Sequence, residues 1–76
     1  MVVKYEEIAD GILHSEMNFN SKKTDKMYYI ILNTDENLPI IRNICDQEFI
    51  ILEKQKSLDL AKKAARNKLK ELGVEL

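Results

Sequence analysis

Seventy-six residues, 45% of them hydrophobic and 33% charged, with 12 basic against 13 acidic side chains, describe one ordinary globular domain spanning 1–76 rather than a disordered tail. The longest apolar run is the six residues Met27 to Leu32, far short of the roughly 20 that span a bilayer, and the opening MVVKYEEIADG lacks the basic start and apolar core of a signal peptide. The chain reads as soluble and cytoplasmic, with no membrane partner. Its single cysteine, Cys45, excludes an internal disulfide and a multi-thiolate zinc site.

Tyr5, Ile8, Ala9, Ile12 and Leu13 fall on one stripe of a helical wheel while Glu6, Glu7, Asp10 and His14 lie off it. That spacing predicts an amphipathic helix over about 3–15, although Gly11 costs such a helix about 1 kcal/mol relative to Ala, and a short strand at Val2 and Val3 is the competing reading. The polar run NFNSKKTDK (18–26) then reads as a loop.

Three β-branch-rich runs follow, MYYIILN (27–33), LPIIRNIC (38–45) and EFIILEK (48–54), separated by TDEN (34–37) and by DQ. Gaps that short allow only antiparallel neighbours, so the three form a meander. Pro39, with no amide to donate, belongs at the start of its strand.

The last element is a helix over 58–72. Ser57 is placed to cap it and Asp59 to meet its positive end. Gly73 supplies a left-handed terminator, with Val74 set to contact Leu69. Leu58, Ala61, Ala64, Ala65, Leu69 and Leu72 form its apolar arc. The expected architecture is α+β, in the order α-β-β-β-α, with a three-stranded antiparallel meander and a well-capped C-terminal helix.

Chemistry finds little purchase. His14 and Ser15 are adjacent, and sequence neighbours on a helix do not face each other, so His14 reads as an exposed histidine. Cys45 stands beside Asp46 rather than a positive group that would activate a thiol, and reads as a half-buried structural cysteine. Glu6, Glu7 and Asp10 match no recognised metal spacing, and two glycines cannot build a phosphate loop. The expectation is a non-enzymatic protein with no catalytic residue, cofactor, metal or small-molecule substrate.

Two surfaces remain. The strands are apolar on both sides, with Tyr28, Ile30 and Leu32 opposing Met27, Tyr29 and Ile31, whereas a half-solvated sheet shows polar residues on one face. The excess predicts an interaction or regulatory module that forms a homodimer or binds another protein through its sheet, with Met27, Tyr29, Ile31 and Ile41 as interface candidates. The alternative is nucleic-acid binding. Between Lys54 and Lys70 seven basic residues meet one acid, Asp59, and Lys62, Lys63, Arg66 and Lys70 gather on one side of the last helix. A solvated helix face, neutralised by the acidic first helix, explains the same row and is the preferred reading of it.

SLDLAKKAARNKLKEL resembles in rhythm the last helix of double-stranded-RNA-binding domains, whose element order would also be α-β-β-β-α. That resemblance implies phosphate contacts from a lysine pair at the helix start, where this chain has Leu58 and Asp59. The strands and last helix also resemble small antitoxins of the HicB type over about half the chain, without a specific shared motif.

Overall fold

The computed structural model describes residues 2–76. It is an α+β fold. Among the described residues the elements are β1 (Tyr5–Ala9), β2 (Ile12–Ser15), β3 (Phe19–Ser21), β4 (Lys26–Asn33), β5 (Leu38–Asn43), β6 (Glu48–Ile51) and α1 (Leu58–Glu71). The six strands make one antiparallel sheet in the order β1-β2-β4-β5-β6, and β3 pairs with β4 on the edge that β2 occupies further along.

The expected first helix is not there. Residues 5–15 instead form the β1–β2 hairpin, turning through Asp10 and Gly11, with Gly11 at φ +74°, and Val2 and Val3 belong to no strand. Asp-Gly between apolar runs is a hairpin signal, and a register shift between Glu7 and Ala9 breaks the strict alternation that would have announced strands. The loop expected over 18–26 also yields a strand. Phe19, its one apolar residue, is buried against Tyr28.

The meander is present as β4, β5 and β6, with shorter second and third strands than the apolar runs suggest, but it is half of a six-stranded sheet rather than a three-stranded one. Ile44 and Cys45 leave the sheet for a turn, and Cys45 is exposed rather than half-buried. Three loops share one construction. Ser21, Asn33 and Asn43 each accept, through a side-chain oxygen, the backbone N–H three residues on, from Thr24 (3.1 Å), Glu36 (3.2 Å) and Asp46 (3.2 Å). Each loop closes on a positive-φ residue, Asp25, Asn37 or Gln47. Pro39 lies near the start of β5. Its carbonyl accepts Leu52 N–H at 3.0 Å, so its missing donor faces the same side, where pairing with β6 begins only at Ile40.

The helix forms as expected. Ser57 Oγ accepts from Leu60 N–H at 3.2 Å, and Gly73 at φ +92° closes a Schellman ending in which Gly73 N–H donates to Lys70 O and Val74 N–H to Leu69 O. Ser21 Oγ donates to Leu72 O and Ser21 bridges Val74, which ties the helix end to β3. Ala61, Ala65 and Leu69 are fully buried. The alanines bring the helix backbone close to β4 and β5, where Tyr28, Ile30, Leu32 and Ile41 complete the core. No described helix is long and apolar enough to cross a membrane.

Candidate functional site

The helix covers one face of the sheet, and the register defines what the other face shows. Directly paired residues share a face. One cross-strand row runs Glu6, His14, Ile31, Ile40, Ile51, and a second runs Tyr29, Arg42, Phe49. Phe49 is 56% exposed, Ile51 67% and Ile8 55%, while Met27, Tyr29, Ile31 and Ile40 are only half-buried by their neighbours. An apolar band thus crosses the sheet with no helix over it among the described residues.

The two ends of that band differ in shape. At the β6 end Phe49 stands proud, with the Arg42 guanidinium carbon 4.3 Å above its ring. Arg42 is steadied there by donating to Gln47 O at 3.1 Å. At the β1–β2 end lies a depression of about 270 Å³ lined by Ile8, His14, Ser15, Glu16, Asn18 and Tyr29. It exists because β2 stops at Ser15 and β3 begins only at Phe19, leaving a gap beside β4. Ser15 Oγ spans the gap, accepting Ile30 N–H at 3.0 Å and donating to Met17 O at 3.0 Å. His14 donates from Nδ1 to Ser15 O at 2.7 Å, stands edge-on to Tyr29 with ring centroids 6.0 Å apart, and holds Nε2 4.0 Å from Glu6. His14 is therefore half-buried rather than exposed, in a depression walled by Ile8 and Tyr29 on one hand and by Ser15, Glu16 and Asn18 on the other.

Of the four interface candidates, Met27, Tyr29 and Ile31 lie on this open face. Ile41 does not. Its register partner is Ile30 and it is fully buried beneath the helix, so Ile40 takes its place. Phe49, Ile51 and Ile8, which the sequence does not single out, are also exposed on this face. The first two were readable from strand alternation, and the third was absorbed into a helix that does not form.

On the opposite side of the molecule, Lys62, Lys63, Arg66 and Lys70 do come together, lining with Asp59 and Asn67 a shallow depression of about 470 Å³. Lys62 Nζ lies 5.3 Å from the Tyr5 ring centroid. Burial pushes the Tyr5 hydroxyl up to about 12, opposed by the nearby Arg66 charge. Among the described residues neither the Tyr5 hydroxyl nor Arg66 Nε, both buried, has a hydrogen-bond partner. The described residues contain no group of three His, Cys, Asp or Glu side chains able to hold a metal. Comparison with protein-family models, with curated proteins and with solved structures finds no match to this chain.

Proposed function

We propose that the protein is a non-enzymatic interaction module that pairs with a second copy of itself through the open face of its sheet. The observation that carries this reading is that a knob, Phe49, and a hole, walled by Ile8, His14 and Tyr29, sit at opposite ends of one cross-strand band. A two-fold axis parallel to the strands and running between β4 and β5 keeps every position along the strands and lays β6 of each copy over β2 of the other. It lays Phe49 of each copy over the depression of the other, twice in one interface. Such an interface is isologous.

Charge fits the same arrangement, because the exchange carries Arg42, on β5, over β4 of the partner, beside the depression that the acidic Glu16 helps to line. Size fits as well. Five strands side by side are about 24 Å wide and the face about 17 Å deep, a projection of about 400 Å² that side-chain relief enlarges toward the about 600 Å² per partner of small stable interfaces.

Sedimentation equilibrium tests the reading. A homodimer with a dissociation constant in the tens of micromolar is expected, and Phe49→Asp is expected to weaken it about 30-fold, as for a central aromatic anchor. Phe49 is too exposed for its loss to endanger folding. A wild type that stays monomeric near 1 mM, about the weak limit of specific association, or a Phe49→Asp variant that dimerises equally well, overturns it.

A further inference from the structure

We infer that the outward face of α1 binds the phosphate backbone of duplex nucleic acid. This does not depend on the pairing of the sheet face, which lies on the other side of the molecule.

Three observations converge on it. Charge is segregated by layer. Residues 1–53 carry five basic against ten acidic side chains, a net of −5, and residues 54–76 carry seven against three, a net of +4. A molecule near neutrality overall thus presents one positive side, and a patch of that kind attracts a polyanion whatever the net charge. Next, the acids expected on a first helix lie on β1 and its turn instead. β1 touches the row through Tyr5, and Glu7 shares the Tyr5 face of that strand, yet among the described residues Lys62, Lys63, Arg66 and Lys70 enter no ion pair. The ion pairs there are His14–Glu6, Lys26–Asp46 and Lys54–Glu36.

The third observation is spacing. Lys62, Arg66 and Lys70 recur every four residues, so the row spans about 12 Å along the helix, which matches the roughly 12 Å width of a B-form major groove. A helix lying across the groove brings Lys62 and Lys70 toward the two flanking backbones. Arg66 lies between them and lines the same depression. α1 holds no aromatic residue to stack on an unpaired base, and the Tyr5 ring beside it is half-buried under Lys62, which favours a duplex over a single strand. Asp59 lies at the N-terminal end of the row, one turn before Lys63, where it weakens the positive field without cancelling it.

Fluorescence anisotropy with a labelled 20-base-pair duplex, titrated from low to physiological salt, is the test. Three phosphate contacts give a log-log salt slope of about −2.7, so each doubling of salt weakens binding about 6-fold. Substituting Lys62, Arg66 and Lys70 together by Gln is expected to abolish binding. Lys70→Gln alone, at an exposed position that leaves folding intact, is expected to reduce the slope by about 0.9, and Asp59→Asn to tighten binding. Absence of binding at low salt, a slope unchanged in Lys70→Gln, or equal affinity for poly-glutamate, which would give the face to an acidic protein, overturns the inference.

Discussion

Replacing Ser15 by Ala removes the side chain that stands in for a missing rung of the sheet. At that point β4 runs past the gap between β2 and β3, and the Ile30 amide has no strand to donate to. Ser15 Oγ accepts it at 3.0 Å, and both residues are buried, Ile30 completely and Ser15 to 2% exposure. Alanine leaves that amide unpaired and out of reach of water, a penalty of about 1–3 kcal/mol. The second bond, to Met17 O, adds little, because Met17 is exposed and its carbonyl can turn to water. A loss of about 2 kcal/mol is expected, a large share of the about 4–11 kcal/mol that a domain of this length holds. With a urea slope near 1 kcal/mol per molar, the midpoint should fall by about 2 M. Hydrogen exchange should show the Ile30 amide losing protection ahead of those of Leu32 and Ile41. A change below about 0.5 kcal/mol with Ile30 still protected would refute the role given to this hydroxyl and, with it, the account of why the sheet edge has a hole.

Gly73→Ala is expected to cost about 2 kcal/mol or more, since φ is +92° and a Cβ there collides with Lys23 Cβ and stands 2.8 Å from Ser21 Oγ; the shift of the urea midpoint measures it. Tyr5→Phe removes a buried hydroxyl that has no partner among the described residues, so at pH 7 it should leave stability unchanged or raise it by up to about 1 kcal/mol. It should also flatten the alkaline limb of the stability profile. Folded Tyr5 holds its proton up to about 12 against an ordinary 10, so the unfolded chain loses its proton first, and stability falls as pH rises from 10 through 12. Lys26, also raised, by its hydrogen bond to Asp46, loses its contribution above its ordinary value and leaves a residual slope in the variant.

The C-terminal helix was legible to within a residue because its signals are local: a capping serine, a dipole-matched acid and a terminating glycine act within one turn of the chain. The central strands were legible for the same reason. The first fifteen residues were not. Tyr5, Ile8 and Ile12 satisfy helical spacing, while the register shift after Glu7 hides the strand alternation, and only Asp10-Gly11 betrayed the hairpin. β3 was illegible because three residues with one apolar side chain carry no periodicity; tertiary burial of Phe19 decides it.

The misplacement of Ile41 is different, since the sequence contained the answer. A four-residue loop over 34–37 pairs Asn33 with Leu38, and counting back sets Ile31 against Ile40 and Ile30 against Ile41. With Tyr28, Ile30 and Leu32 beneath the helix, Ile41 had to lie there too. The depression beside Tyr29 was beyond reach, because it arises where a strand is interrupted, a feature no side-chain pattern announces.

Which surfaces meet when two copies pair decides between pairing through the open face and other arrangements. The most direct measurement is an isotope-filtered nuclear Overhauser experiment on an equimolar mixture of labelled and unlabelled protein, which records only contacts between different chains. Intermolecular signals are expected from the Phe49 ring to the Ile8 methyls and the Tyr29 ring, and none involving Ala61, Ala65 or Leu69 on the buried side of α1. Dimers whose intermolecular signals arise from α1, or from β6 lying edge to edge with β6, would contradict pairing through the open face.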